Sequence, residues 1–141
     1  MSFKEQIRRN AVALISLAVA ISGLSYNTWR NEASEHNRNQ RWGSFEVLLK
    51  LGELQQLVLD MHYGDGANAA ADARMGWAIV LTTEDISQVL DDPIPARAAE
   101  LKSVWEQHWS GLGKKEQSVD EIRAAIDSVR ADTQMILRDL E

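Results

Sequence analysis

The side chains of this chain best suited to acid–base or metal chemistry are its three histidines, His36, His62 and His108. Asp60, His62 and Asp65 lie close together and offer a cation two carboxylates and an imidazole. Their spacing matches no established ligand pattern, so they are expected to be solvated residues of a turn. His108 falls on an apolar stripe between Trp105 and Leu112, where a hydrogen-bonded core histidine is expected. A di-iron helical centre needs Glu-x-x-His on two helices. Glu32 precedes His36 by four residues and Glu106 precedes His108 by two, so neither pair fits, and Glu32 with His36 reads as helix surface. There is no cysteine, which removes thiolate nucleophiles, thiolate metal sites and disulfides, and leaves the redox compartment unread. Ser110-Gly111-Leu112-Gly113 is a helix stop and not a nucleophile elbow, and no Gly-rich loop follows a strand. Trp105 and Trp109, one helical turn apart, have the geometry to stack on a ligand but are expected to pack in a core. No catalytic residue, cofactor or metal site is expected.

The element that places these residues is an apolar run, Ala11 to Leu24, between Arg8-Arg9 and Tyr26/Trp29. As a helix, residues 10–29 span about 30 Å, the thickness of a hydrocarbon core. Arg8 and Arg9 before the run, and Tyr26, Trp29 and Arg30 after it, have the basic and aromatic character of membrane interfaces. A single transmembrane helix is expected. A cleaved signal peptide competes with it, although the A-x-A triplet Ala18-Val19-Ala20 lies inside the run and not after it. A buried soluble helix would need no such order in its flanks. Lys4, Arg8 and Arg9 on one side nearly balance Arg30, Arg38 and Arg41 on the other. The free amino terminus and the paired arginines favour a cytoplasmic N-terminus in a bacterial inner membrane, with the C-terminal domain periplasmic.

Residues 42–141 carry 9 Lys/Arg against 18 Asp/Glu. Such an acidic domain repels phosphate backbones, so nucleic acid is not an expected partner. The chain divides into a basic flank at 1–9, the transmembrane helix at 10–29, a polar stalk at 30–43 and an acidic helical bundle at 44–141. The stalk lacks Pro and almost all apolar residues, which favours a solvated helix.

Four apolar stripes follow. Val47, Leu51, Leu54, Val58 and Met61 recur at steps of four and three, ending at Gly64-Asp65-Gly66. Met75, Ile79, Thr82, Ile86 and Val89 predict a second helix that starts after Ala67 and stops at Asp91-Asp92, before Pro93 and Pro95. Ile94, Ala98, Leu101, Trp105, His108 and Leu112 predict a third, with Pro95 in its first turn and Gly111 and Gly113 at its end. Ser118-Val119-Asp120-Glu121 reads as a capping box opening a fourth, whose stripe is Val119, Ile122, Ile126, Val129, Thr133, Ile136 and Leu140. Four amphipathic helices with short turns and no strand signal predict an all-α antiparallel four-helix bundle.

Two faces are left over. Phe45, Leu49, Gly52 and Leu59 form a second stripe on the first helix, and Trp77 stands roughly opposite the stripe of the second. Burial in the bundle is one account of them. The other makes Phe45, Leu49, Leu59 and Trp77 a docking surface for a protein partner in a membrane complex or for a second copy.

The junction Tyr26-Asn27-Thr28-Trp29-Arg30-Asn31-Glu32, with Asn37-Arg38-Asn39 and Phe45-Glu46-Val47-Leu48, resembles a segment of small uncharacterised bacterial membrane proteins. The resemblance covers about a third of the chain and implies a membrane setting, not an activity. In architecture the chain is also similar to the four-helix periplasmic sensor modules of chemoreceptors and histidine kinases. The last predicted helix ends at Glu141, so signalling by a two-span piston is not expected. These readings favour a non-enzymatic accessory or assembly subunit. The alternative is a periplasmic ligand-sensing module that signals through a partner, with its pocket near Trp105, His108 and Trp109.

Overall fold

The computed structural model describes residues 3–140, and among them there are helices and turns but no strand. The helices are α1 (Phe3–Arg9), α2 (Ala11–Tyr63), α3 (Ala69–Ser87), α4 (Ile94–His108) and α5 (Glu116–Asp139), with a 3₁₀ turn at Trp109–Gly111 after α4. The chain separates into two compact units, Met1–Asn37 and Arg38–Glu141.

The first unit holds a helical stretch long and apolar enough to cross a membrane, near the N-terminus, and none of it is buried. A core helix of a soluble domain would hide such a stretch. Val12, Ile15 and Leu24 instead stand open, and burying them in hydrocarbon gains about 1.5–3 kcal/mol each. The Ser22 hydroxyl donates to the Ala18 carbonyl one turn back at 2.8 Å, so it carries no unpaired donor into an apolar medium. Tyr26 and Trp29 close the stretch as a tilted pair, ring centres 6.0 Å apart.

The second unit folds around one apolar core. Val47, Leu51, Leu54 and Val58 of α2, Ile94, Leu101 and Trp105 of α4, and Val119, Ile122, Ile126 and Val129 of α5 are all buried. On these three helices the buried residues fall on the expected stripes, but the end members Met61, His108, Ile136 and Leu140 are only half-buried, so His108 is not the core histidine expected. On α3 the stripe is shifted. Ala73, Gly76, Ile79, Val80, Thr83 and Ser87 face inward, whereas Met75, Thr82 and Val89 are exposed and Ile86 is only half-buried. The cause is Trp105. An added Cβ on Gly76 would lie 2.2 Å from the indole Cζ2 and 2.4 Å from Cη2, so the ring fills the space that a side chain would need. The largest core residue therefore selects the smallest face of α3. The inward hydroxyls are satisfied within the helix, Thr83 donating to the Ile79 carbonyl at 2.8 Å and Ser87 to the Glu84 carbonyl at 2.6 Å.

Two boundaries also differ from expectation. α3 ends at Ser87, ahead of Asp91-Asp92. α5 starts at Glu116 with Lys115 as its N-cap, and no side chain caps it. Ser118 sits inside the first turn, buried, so the capping box does not form. Gly111 has no Cβ to oppose the Ser118 hydroxyl, which would lie 2.2 Å from one.

The second unit reaches back into the stretch read as stalk. Gln40 is buried, its amide donates to the Val89 carbonyl at 3.0 Å, and its carbonyl accepts from the Asp91 N–H at 3.0 Å. That pair of bonds satisfies backbone groups beyond the end of α3, where helix termini lack internal partners. Polar residues thus join the fold by capping it. Lys102 with Glu84 (2.7 Å) and Arg97 with Asp132 (2.8 Å) link α4 to α3 and to α5 at the surface, where such pairs are worth about 0–1 kcal/mol.

Candidate functional site

The first candidate is the turn after α2. Tyr63 closes that helix, Gly66 adopts a left-handed φ of 71°, and Asp65 Oδ1 accepts from the Ala67 N–H at 2.9 Å. These local bonds aim Asp65 at its own turn. His62 points elsewhere, and its side chain is almost wholly buried. The Gly113 N–H donates to its Nδ1 at 3.1 Å, which assigns the ring hydrogen to Nε2, and Nε2 donates to Glu116 at 3.0 Å. Tyr63, edge-on to His62 with ring centres 4.6 Å apart, donates its hydroxyl to the other Glu116 oxygen at 3.1 Å.

Electrostatics follow from this geometry. The hydrogen bond from His62, and then that from Tyr63, hold the Glu116 carboxyl below the usual glutamate range. The same carboxylate, by accepting the Tyr63 hydroxyl, pushes that phenol above its ordinary value. His62 is therefore not a solvated turn residue. It is a clasp joining the end of α2 to the start of α5. With both ring nitrogens engaged it has no lone pair to offer a cation, and among the described residues no group of three or more His, Asp or Glu side chains is placed to hold a metal ion.

The second candidate surrounds His108, which is half-buried. It lines an open, mostly polar cavity of about 370 Å³ with Ser110, Gly111, Lys114, Lys115 and Ser118 among its walls. Trp105 does not reach it. That ring lies fully buried in the core, with its indole N–H unpartnered, and Trp109 packs against the same core. Of the three residues expected to share a pocket, His108 lines this cavity and the two tryptophans do not.

The third candidate is the outer face of α2. Val47, Leu51, Leu54 and Val58 commit one side of the helix to the core. At 100° per residue, Trp42, Phe45 and Leu49 fall on the opposite side, and all three are mostly exposed. Gly52 continues their line, and a Cβ there would meet nothing within 4 Å. Of the four expected docking residues, Phe45 and Leu49 are exposed, Leu59 is half-buried, and Trp77 on α3 is half-buried against the core. Trp77 therefore does not stand opposite the buried face of α3, for the same reason that the α3 stripe is shifted. Trp42 is the residue that sequence reasoning missed. It lies one turn before Phe45 inside the stretch read as polar stalk, and its spacing of three to Phe45 and seven to Leu49 was the available signal.

No protein-family model, no curated protein and no solved structure matches this chain.

Proposed function

We propose that this chain is a non-enzymatic interaction subunit, an accessory or assembly component of a bacterial membrane protein complex. One N-terminal span anchors it in the inner membrane with the N-terminus cytoplasmic, and the acidic domain, an antiparallel four-helix bundle, lies on the periplasmic side. The observation that carries the reading is the exposed aromatic and aliphatic line Trp42, Phe45 and Leu49, directly opposite a helix face already committed to the core. A contiguous apolar strip on an otherwise acidic domain is the signature of a surface that becomes covered. The interaction reading is preferred to a sensing module because Trp105 belongs to the apolar core and does not line the cavity beside His108.

The test is purification of the tagged full chain at native level in mild detergent, beside a Leu49→Glu variant. Leu49 is exposed, so the substitution leaves the fold intact. A stoichiometric assembly, of whatever composition, that the variant loses is the expected result. Recovery of both proteins as lone monomers refutes the proposal.

A further inference from the structure

We propose that the outer face of α2 is covered by a second copy of the same chain, the two helices lying parallel. This rests on the interaction-subunit reading and names its partner.

Spacing is the first argument. Trp42, Phe45, Leu49 and Gly52 follow one another at steps of three, four and three, and Gln56, Leu59 and Tyr63 carry the same rhythm to the end of the helix. This is the alternation of a and d positions in a two-stranded coiled coil. The buried residues Val47, Leu51, Leu54 and Val58 occupy the opposite phase, so α2 has a second seam, apolar and exposed at Trp42, Phe45 and Leu49, which the fold of one chain leaves uncovered. At Gly52 the helix surface is open, since a Cβ would meet nothing within 4 Å, and a second backbone can come close there.

Area is the second. Trp42, Phe45, Leu49 and Tyr63 are 59%, 59%, 61% and 64% exposed. At the usual size of such side chains they present on the order of 500 Å² per copy, and two copies reach about 1,000 Å², where specific interfaces begin. A strip that fits itself closes as a two-fold pair and offers nothing for further growth.

Charge fixes the direction. The positions just after each d residue are Glu46, Glu53 and Asp60, all acidic, and those just before each a residue are Arg41, Leu48, Gln55 and His62. In a parallel pair each acid meets a residue of the second group, Glu46 facing Arg41, Glu53 facing Leu48 and Asp60 facing Gln55, with no like charges opposed. In every antiparallel register acid faces acid. Arg41 already donates to the Leu140 carbonyl, and its guanidinium has further N–H groups for Glu46.

The chain contains no cysteine, which permits a direct test on the full protein in native membranes. Phe45→Cys and Leu49→Cys are each oxidised beside Ala131→Cys, an exposed position on α5. A parallel seam sets Phe45 against Phe45 and Leu49 against Leu49. The expected result is a reducible species of twice the chain mass from the first two variants and not from the third. In detergent, the Leu49→Glu protein should fall from dimer to monomer with its helical circular dichroism unchanged. An adduct of another mass at Phe45 and Leu49 overturns the second copy as occupant while leaving the interaction-subunit reading intact. Equal doubling by Ala131→Cys, or a Leu49→Glu protein that stays dimeric, overturns the proposed face. No adduct together with a monomeric mass overturns both readings.

Discussion

Replacing Gly76 by alanine should destabilise the folded unit, although in an exposed helix the same change stabilises by about 0.5–1 kcal/mol. The added methyl group would lie 2.2 Å from Cζ2 and 2.4 Å from Cη2 of Trp105. Ordinary carbon contacts begin near 3.4 Å, so either the indole or α3 must move by about 1 Å. Neither move is easy. The ring is rigid, fully buried and part of the same core as Leu101, Ile79 and Val80, and it has no flexible end to yield. Overpacking of this kind costs about 1–3 kcal/mol, and with rigid partners the upper end applies. Subtracting the helix-propensity gain leaves a net loss of about 2 kcal/mol, or a fall in melting temperature of about 10 °C for a domain of this size.

The assay is thermal unfolding of the full chain in detergent by circular dichroism, with two reference variants. Gly43→Ala meets the Cδ2 of Leu90 at 2.8 Å, the free end of a side chain that can rotate, so its effect should be small. Gly52→Ala, made in the monomeric Leu49→Glu background, meets nothing and should raise the midpoint of that protein by a few degrees. Trp105→Phe removes the clashing ring atoms, so the cost of Gly76→Ala should shrink in that background by more than about 1 kcal/mol of coupling. If Gly76→Ala raises the midpoint of its own parent as much as Gly52→Ala does, or more, the ring does not occupy the Gly76 notch and the account of the α3 phase fails.

Three further outcomes are expected. Gln40→Ala should lower the unfolding free energy measured by denaturant titration by about 1–3 kcal/mol, since it withdraws the two side-chain bonds that satisfy the Val89 carbonyl and the Asp91 amide. Glu116 has a folded pKa below its unfolded one, so its stabilisation is complete above the ordinary glutamate pKa and is lost as pH falls through the folded value. Melting temperatures followed from about pH 7 to about pH 3 should therefore drop less steeply for Glu116→Gln than for the wild type, and equal slopes would remove the clasp as a pH-linked contact. Ser110→Cys, exposed within the 3₁₀ turn, should react with a membrane-impermeant thiol reagent in intact cells, whereas labelling only after lysis reverses the proposed orientation.

Three of the four core stripes were legible because large apolar side chains mark them at steps of three and four. The inward face of α3 was not, because Ala73, Gly76, Thr83 and Ser87 are small or polar, and periodicity of large residues is blind to a face shaped by another helix's tryptophan. Met75 and Val89 drew the reading to the wrong side. The start of the compact unit was obscured in the same way, since Gln40 reads as solvated stalk until its two backbone partners are seen. Ser118 and Glu121 had the spacing of a capping box, but Glu116 is drawn to His62 and Tyr63 and the helix begins there. The second seam of α2 was half visible. Phe45, Leu49, Gly52 and Leu59 stood out in the sequence, while Trp42 lay hidden among polar neighbours and Trp77 was assigned outward because the phase of α3 was misread.

The setting of Trp105 makes the protein its own optical probe. An indole with no solvent contact and no hydrogen-bond acceptor emits at the short-wavelength edge of tryptophan fluorescence, whereas Trp29 and Trp42 are open to the medium. The emission band is therefore a composite. Loss of its blue component reports opening of the interior around α4, while a blue shift of the Trp42 component on raising the protein concentration reports the closing of α2 against a neighbour. Both can be followed without attaching a dye.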